Sequence, residues 1–400
     1  MIPFEQAVST VLDNIQRLES ASVPLHDAVG MVLAEDAASD VDMPPFDKSA
    51  MDGFAVVAAD LADAPRALRV IEDIPAGTVP SKVVHPGQCA RIMTGAPVPE
   101  GADTVVMVED TEPGPADDEV TLLQPTAKGL NICWQGEDVK ASDVVLPAGH
   151  AIRAAEVAVL AACGMAHVQV YRKPTVAVLS TGDEVVPIDE TPEPGQIRDA
   201  NSHYVAARLA RLGIEAVPLG IAPDEPEALK AALAKGMDCD VLAVSGGVSM
   251  GDYDLVPGLL RELGTEVFFE KVAMQPGKPT VFGRRGKTAV FGLPGNPVSV
   301  LVACELFLVP AVRTMMGFAD VHPPRRHAAL LERTAHKPGR VAHKPGVLED
   351  TGEGWTVRPL SYHGSAHIHA LSRANCLIVL PLDVAVVEPP AVVEVIELRV

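Results

Sequence analysis

The segment SGGVSMGDYD (residues 245–254) places small residues and two carboxylates between an apolar run and an amphipathic segment. Glycine and serine let backbone N–H groups approach an anion closely, and a helix that starts there adds the positive end of its dipole. The residues that suit a phosphate or another oxyanion are Gly246, Gly247, Ser249 and Gly251. Asp252 fits a helix N-cap equally well, whereas Asp254 lies in the first helical turn, where the dipole stabilises a carboxylate but no cap is needed. A phosphate cradle, a metal site and a tight turn all stay open here.

Two further short segments carry chemistry. STGDE (residues 180–184) presents Asp183 and Glu184, the kind of carboxylate pair that holds Mg²⁺ together with substrate oxygens. Its alternative is a solvated turn. MQPGKP (residues 274–279) offers Lys278 as the positive charge that an anion site needs, although a surface lysine explains it as well.

The elements that would position these segments alternate between strand and helix from Thr175 onwards. Such alternation predicts a doubly wound, parallel α/β sheet, in which ligands bind beyond the carboxyl ends of the strands. Four loops directly follow predicted strands, and they are STGDE, APDEP (residues 222–226), SGGVSMGDYD and GLPGNPVS (residues 292–299). We therefore expect these loops to build one site.

The rest of the chain has a different pattern of apolar residues. Apolar residues at helical spacing predict helices over residues 4–18 and 154–163, with a β-rich segment of short strands between them. This order predicts an elongated helical N-terminal domain (residues 1–45 and 147–173) with an inserted β domain (residues 46–146). The α/β domain then spans residues 174–318, and a C-terminal β domain spans residues 319–400.

Composition excludes several classes of function. A formal net charge of -21 disfavours binding to nucleic acid or to an anionic membrane, and the N-terminus lacks a secretory signal pattern. We expect a soluble, cytoplasmic protein. Six scattered cysteines without a CxxC pair argue against a zinc site or a disulfide framework. We assign His363, His367 and His369 no metal, because no further ligand completes a set. Dinucleotide, P-loop and nucleophile-elbow motifs are absent from the sequence.

Six motifs in order carry a resemblance over the whole chain, and they are PPFDKSAMDG, RIMTGAPVP, STGDE, SGGVSMGDYD, PGKP and GLPGNPVS. Each motif alone is modest, but the ordered set closely resembles the MoeA family of molybdopterin molybdenumtransferases, which includes the gephyrin E domain. The resemblance implies a MogA-like α/β domain, a C-terminal β-barrel-like domain and a homodimer. It further implies an active site where the α/β domain of one subunit meets the N-terminal region of the other.

The resemblance also implies a reaction. Molybdenum from molybdate is inserted into adenylylated molybdopterin, and the adenylyl group leaves as AMP with Mg²⁺ as cofactor. A MogA-like adenylyltransferase and apo molybdoenzymes are the implied protein partners. Carried over by motif, the implied catalytic residues are Asp52, Thr94, Asp138, Glu184, Asp224 and Asp254, with Glu184 and Asp254 as metal ligands. The implied substrate-binding and molybdate-binding residues are Gly246, Gly247, Ser249, Lys278, Pro294, Pro297, Ser299 and Ser365.

Two departures from the family pattern concern molybdate. Gln275 stands where members often have a second lysine, and Pro345 stands where they often have an arginine. Either Lys344, Arg340 or Arg373 compensates, or this chain handles molybdate less well. Two rival hypotheses stay open beside the enzyme. The first is a non-catalytic molybdopterin-binding scaffold, which would have lost the carboxylates that are retained here. The second is a paralogue that prefers tungstate.

Overall fold

The computed structural model describes residues 1–248, 255–361 and 364–398. Its contacts divide the chain into two compact units. The larger unit comprises residues 1–34, 149–153 and 169–400, and the smaller unit comprises residues 35–148 and 154–168. The domain boundaries predicted from the sequence stay a prediction.

A six-stranded sheet forms the α/β part of the larger unit. In spatial order its strands are Ala216–Ala222, Val176–Thr181, Val241–Ser245, Thr288–Leu293, Val281–Arg285 and Glu266–Phe269. The first four strands are parallel, and the last two add to the edge in antiparallel fashion. The first strand in sequence lies between the second and the third, so the strand order reverses beside it, and such a reversal is where doubly wound sheets bind ligands.

Helices cover both faces of this sheet, which confirms the doubly wound prediction. Alternate residues of Val176–Thr181 enter two separate cores, because neighbouring side chains of a strand point to opposite faces. The helices of the α/β part are Asn201–Ala210, Pro226–Gly236, Val256–Glu262, Pro297–Ala303 and Val309–Met315. The last two join through a π-helical turn into one segment, Pro297–Met315, that is long and apolar enough to cross a membrane. Its apolar window is 89% buried, and its side chains fill the core.

The C-terminal strands close into a barrel, as predicted from the sequence. Strand Val341–Asp350 pairs on one side with Trp355–Pro359 and on the other with Cys376–Leu380. The remaining barrel strands are Arg325–Leu330 and Val392–Glu397. Strand Met274–Gln275 of the α/β part also pairs with Val341–Asp350, which joins the lysine-bearing segment to the barrel. A short pair, Thr334–Ala335 with Val386–Val387, lies beside them.

The smaller unit is built on a second six-stranded sheet. Its strands, in spatial order, are Thr104–Met107, Gly53–Val56, Gln88–Ile92, Arg66–Ile74, Glu119–Leu122 and Thr111–Pro113. Two short pairs accompany the sheet, and they are Lys48–Ser49 with Ile132–Cys133 and Ala37–Ala38 with Val144–Leu146. The short strands predicted for this part of the sequence therefore form a sheet.

The prediction of a helical N-terminal domain is wrong. Among the described residues its α-helices are Phe4–Asp13 and Ala154–Ala162, which lie in the two segments predicted to be helical, but the rest of the domain contains extended segments such as Ser20–Pro24 and His167–Tyr171. The first helix stops at Asp13 because the chain turns away, and the Leu18 N–H donates to the Met315 carbonyl instead. Pairing between residues distant in sequence overrides the local helical pattern here.

Candidate functional site

A cavity of about 970 Å³ opens at the carboxyl ends of the parallel strands, beside the reversal in strand order. It gathers residues from every strand-end loop that was singled out in the sequence. The predicted site residues that line it are Glu184, Asp224, Gly246, Gly247, Lys278, Pro294, Pro297, Ser299 and Ser365. Positions nearly 200 residues apart, from Ser180 to Ser365, thus meet at one end of the α/β sheet.

The glycine-rich loop requires glycine at positions 246 and 247, because there is no space for a side chain there. A Cβ on Gly246 would lie 2.5 Å from the Thr181 carbonyl oxygen, and a Cβ on Gly247 would lie 2.9 Å from the Thr181 hydroxyl. Both glycines also adopt positive φ angles of 98° and 61°, which residues with a side chain rarely adopt. The backbone therefore approaches the neighbouring strand end closely. Ser249, Asp252 and Asp254, the other residues of interest in this loop, lie outside the described residues.

The two adjacent carboxylates of STGDE have different positions. Asp183 accepts a hydrogen bond of 3.0 Å from the Asp224 backbone N–H, so it ties two strand-end loops together. Glu184 lines the cavity instead, and its Oε2 lies 2.6 Å from where a Cβ on Gly182 would stand. Glu184 is exposed, and Asp224 is half-buried at the cavity wall. The cavity thus has two carboxylates within reach of a ligand.

Three cations line the cavity of this acidic protein, and they are Arg198, Lys278 and Arg340. Arg198 and Lys278 are exposed and Arg340 is half-buried, and within the described part of the chain none of the three forms an ion pair. The Arg198 guanidinium does donate a hydrogen bond of 2.8 Å to the Glu190 carbonyl. Of the residues considered as substitutes for the missing family cations, Arg340 is the one at the cavity. Lys344 instead donates hydrogen bonds of 3.0 and 2.9 Å to the Thr334 hydroxyl and the Ala335 carbonyl, and burial lowers its pKa. Cations without an ion pair in the described part of the chain favour an anionic ligand.

The helix that begins at Pro297 points its N-terminus into the same cavity. Proline fits this first position because its missing N–H would have no partner within the helix. The Val298 N–H donates to the Ser365 carbonyl over 3.0 Å, which anchors a loop of the C-terminal part at the helix start. Ser299 is buried one turn into the helix. Backbone dipole and small side chains therefore complete the anion-binding side of the cavity.

Some lining residues were missed in the sequence. Thr181 is 3% exposed, and its hydroxyl has no hydrogen-bond partner within the described residues. Gln275 was noted from the sequence only as a departure from the family pattern, and its amide oxygen also has no hydrogen-bond partner within the described residues. Asn201 is occupied, because its Nδ2 donates to the Ser245 hydroxyl (2.9 Å) and to the Gly295 carbonyl (2.7 Å) and so holds two loops in place. The available signal was position, since Thr181 ends a strand and Asn201 begins a helix.

The upstream motifs meet in the smaller unit. The Asp52 carboxylate accepts hydrogen bonds from the Thr94 backbone N–H (2.6 Å) and hydroxyl (2.7 Å), and these bonds lower the pKa of Asp52. The Asp138 N–H donates to the Met43 carbonyl, while its exposed carboxylate has no hydrogen bond or ion pair to described residues. The strand pair of Lys48–Ser49 with Ile132–Cys133 links the loops that carry these residues.

Histidine and cysteine clusters give no metal centre in the described residues. No group of three or more His, Cys, Asp or Glu side chains is arranged to hold a metal ion there. The rings of His367 and His369 stand 6.3 Å apart, and His363 lies outside the described residues. A cation at the cavity would therefore need ligands from the substrate as well as from the protein.

Comparison with known proteins covers almost the entire chain. Residues 2–164 match the family described as MoeA N-terminal region (domain I and II), residues 177–314 match the probable molybdopterin binding domain, and residues 327–398 match the MoeA C-terminal region (domain IV). The molybdopterin molybdenumtransferase of Staphylococcus aureus is 36% identical over 387 residues, which are 95% of this chain and 91% of the relative. The enzyme of the same name from Staphylococcus epidermidis is 35% identical over 389 residues, with the same coverage.

Solved structures agree with these relatives. A crystal structure of the molybdopterin biosynthesis MoeA protein from Pyrococcus horikoshii has a TM-score of 0.86 and 33% identity, and the match covers 99% of each chain. A second structure from the same organism has a TM-score of 0.84 and 30% identity over the full length of both chains.

Proposed function

Because the chain belongs to the MoeA family of molybdopterin molybdenumtransferases, we propose that it inserts molybdenum from molybdate into adenylylated molybdopterin and releases AMP. It is an enzyme of molybdenum cofactor biosynthesis, and molybdopterin is its substrate. The proposal extends this to the adenylylated form of the substrate and to Mg²⁺ as cofactor. It also includes a cytoplasmic homodimer that receives substrate from a MogA-like adenylyltransferase and serves apo molybdoenzymes.

One observation carries the proposal. The strand-end cavity places the carboxylates of Glu184 and Asp224 in one space with the cations Arg198, Lys278 and Arg340. A substrate with phosphates needs a hard cation beside carboxylates, and molybdate, a dianion, needs positive charge. A cavity of this size is also in the range that encloses a large organic ligand.

The residues at the cavity fit a bound Mg²⁺. This ion is held in proteins by one or two carboxylates together with substrate phosphates, and Glu184 and Asp224 supply that number within the described residues. We propose Glu184 and Asp254 as its ligands, although Asp254 lies outside the described residues. Bound Mg²⁺ would supply positive charge that stabilises the phosphate oxygens during loss of the adenylyl group.

The remaining residues of the cavity would bind different parts of the ligands. Lys278, Arg340 and the N-terminus of the helix at Pro297 would hold molybdate close to the dithiolene sulfurs. The Gly246 and Gly247 backbone, with the Thr181 hydroxyl, which has no hydrogen-bond partner among the described residues, would hold the phosphates. Water supplies the oxygen that the adenylyl phosphorus gains, so that AMP departs while the bridging oxygen stays with the molybdopterin phosphate.

The upstream residues need a separate role in the proposal. The two hydrogen bonds from Thr94 lower the pKa of Asp52 and fix its carboxylate in place, and the group is negatively charged at neutral pH. Asp138 presents a second exposed carboxylate in the same unit. Negative groups of this kind would repel a free oxyanion and favour a cation or a donor group of the substrate.

The reaction is tested with purified protein, adenylylated molybdopterin, Mg²⁺ and molybdate. We expect AMP to be released and the product to activate an apo molybdoenzyme. Absence of AMP with every divalent cation tried would contradict the proposal and leave the scaffold hypothesis. A parallel titration with tungstate addresses the remaining alternative, since higher turnover with tungstate than with molybdate would support a tungstate-preferring enzyme.

A further inference from the structure

A charged cluster, formed by Tyr204, Arg208 and Glu305, is packed into the apolar core on one face of the α/β sheet. Glu305 is 3% exposed, and its carboxylate accepts two hydrogen bonds from the Arg208 guanidinium, of 2.6 Å to Oε1 and 3.1 Å to Oε2. The Tyr204 hydroxyl donates a third hydrogen bond, of 3.0 Å, to Oε1. Burial, together with the neighbouring Cys304 and Glu305, raises the pKa of Tyr204 well above its usual range, so its hydroxyl stays a donor.

A buried ion pair adds little net stability to a core. The two charges lose their hydration, and because their attraction does little more than offset that loss, apolar side chains of similar volume often stabilise a protein equally well. Glu305 belongs to the π-helical turn Cys304–Leu308, whose other four residues are all part of the surrounding apolar core. A planar guanidinium with two hydrogen bonds to a carboxylate does fix the orientation of both groups. The pair of Arg208 and Glu305 is therefore suited to fixing how two elements are placed.

The π-helical turn that carries Glu305 has a cause in the sequence. Pro310 has no N–H to donate to the carbonyl four residues earlier, and its ring crowds that carbonyl, so regular α-helix is interrupted just before it. The turn Cys304–Leu308 takes up this interruption before the helix resumes. Single π-helical turns often occur at functional sites. Here the turn presents Glu305 to the helix Asn201–Ala210.

Both partners of Glu305 lie on the same face of the helix Asn201–Ala210 as its first residue. Positions three and seven residues apart share one face of a helix, so Asn201, Tyr204 and Arg208 form a single row. Asn201 lines the strand-end cavity, whereas the three residues of the charged cluster do not. Any effect of the charged cluster on a ligand must therefore pass along the helices.

The two helices are joined a second time at the cavity. The Asn201 side chain donates to the Gly295 carbonyl over 2.7 Å, two residues before the helix that starts at Pro297. That helix continues through the π-helical turn, so it also carries Glu305. Ser299 lies in its first turn and lines the cavity. The helices thus share one contact at the cavity and another at the charged cluster.

We propose that the charged cluster is a positioning device that holds the helix start at Pro297 in place for the oxyanion. This inference rests on the proposed function, in which that helix start holds molybdate. With the charged cluster intact, the two helices keep one register, and the contact of Asn201 with Gly295 keeps the backbone N–H groups oriented at the cavity. Loss of the charged cluster lets the helices shift against each other and misplaces these groups.

The test removes both charges at once, so that neither is left buried without its partner. The double variant Arg208→Met and Glu305→Leu should melt within about 5 °C of wild type, because apolar side chains fill the same core. We expect its KM for molybdate to rise about fivefold or more, while the KM for the pterin substrate stays within about twofold. Hydrogen exchange of the backbone amides of residues 295–300 should accelerate about tenfold.

An ion pair on the other face of the sheet supplies the matched control. Lys230 and Glu262 join two helices over 2.7 Å, and the buried residues of those helices belong to the other apolar core. Lys230→Met and Glu262→Leu together should change neither KM and leave exchange at residues 295–300 as in wild type. Arg208→Lys guards against misfolding, since it keeps the buried charge paired. It should raise the KM for molybdate by a smaller factor, because an ammonium does not fix the carboxylate orientation.

The outcomes separate this inference from the proposed function. Folded double-variant and Arg208→Lys proteins with the wild-type KM for molybdate and wild-type exchange at residues 295–300 would overturn the inference while the proposed function stands. Equal rises in the KM for molybdate and for the pterin substrate would also overturn it, because the effect would not be confined to the oxyanion. Wild-type protein that releases no AMP and binds no molybdate would remove both the inference and the proposed function.

Discussion

At the scale of single residues, nearby side chains of the same charge differ in whether they line the cavity. Asp183 and Glu184 are adjacent and both exposed, yet Asp183 holds the Asp224 backbone while Glu184 lines the cavity. Arg340 and Lys344 differ in the same way, because Arg340 lines the cavity and Lys344 donates a hydrogen bond to Thr334. Residue type therefore offers candidates, and local hydrogen bonding decides which of them is left to meet a ligand.

The position of Arg340 at the cavity gives the first prediction. Arg340→Gln should raise the KM for molybdate by about tenfold with a smaller change in the KM for the pterin substrate, because a charge-assisted contact to the dianion is lost. The measurement is AMP release as a function of molybdate concentration.

Lys344→Gln is the matched control for that change. It should leave the KM for molybdate unaltered and lower the free energy of unfolding by about 1–2 kcal/mol, because the half-buried ammonium donates to Thr334 and Ala335. A larger effect of Lys344→Gln than of Arg340→Gln on molybdate affinity would reverse the assignment.

At the scale of elements, the sheet is tied together at the end opposite the cavity. Asp240, which precedes Val241–Ser245, accepts hydrogen bonds from the Thr175 backbone N–H (2.8 Å) and hydroxyl (2.9 Å) just before Val176–Thr181. It also accepts two hydrogen bonds from Arg172, of 2.7 and 2.8 Å. The Arg172 hydrogen bonds, followed by those from Thr175, lower the pKa of Asp240 to about 2. The starts of two parallel strands are thus held in register, which fixes where their other ends open the cavity.

The Asp240 clamp gives a pH-dependent prediction. A carboxyl group with a lowered pKa in the folded state stabilises the protein fully above its ordinary pKa of 3.8 and loses that effect as the pH falls towards 2. Asp240→Asn should therefore lower the free energy of unfolding by about 1–2 kcal/mol at pH 7, with a discount for solvent screening, and the difference from wild type should shrink below about pH 4.

Urea denaturation at several pH values measures this difference. Asp238→Asn is the control, since Asp238 is exposed and its side chain makes no hydrogen bond to the described residues. A deficit of Asp240→Asn that stays constant from pH 7 down to pH 2 would show that charge is not the cause.

Sequence reasoning was most successful where the pattern is local. Alternating strands and helices after Thr175 predicted the α/β sheet, and position after a strand predicted that the loops of Glu184, Asp224 and Gly246 would come together. It failed in the N-terminal region, where short extended segments pair with partners far along the chain. It missed Thr181, because a threonine that ends a strand carries no distinguishing pattern, and it offered Arg340 only as one of three alternatives, because an arginine in a polar loop carries none either. Their role depends on the space around them.

At the scale of the whole molecule, the predicted catalytic residues fall in both compact units. Asp52, Thr94 and Asp138 belong to the smaller unit, and the strand-end cavity belongs to the larger one. The family resemblance implies a homodimer in which two chains complete each active site. We therefore expect residues of both units to be required for turnover, although the two sets belong to different units of the chain.

Mixing two inactive variants tests this expectation. Asp52→Asn and Glu184→Gln should each have little activity alone. After unfolding and refolding together in equal amounts, about one quarter of the wild-type activity should return, because mixed dimers regain one intact site each. The readout is AMP release per chain, with separately refolded variants as controls. A mixture no more active than its parts, at a dimer mass in solution, would contradict an active site shared by two chains.

The most direct measurement compares AMP release under single-turnover conditions by wild-type protein, Glu184→Gln and Asp183→Asn. Both changes remove one negative charge from neighbouring exposed residues, and asparagine at position 183 keeps the oxygen that accepts the Asp224 N–H. If the cavity is the active site, Glu184→Gln should slow AMP release by on the order of 10²-fold and need more Mg²⁺, while Asp183→Asn should stay within a few-fold of wild type. Wild-type rates for Glu184→Gln, or equal losses in both variants, would contradict the assignment of this cavity.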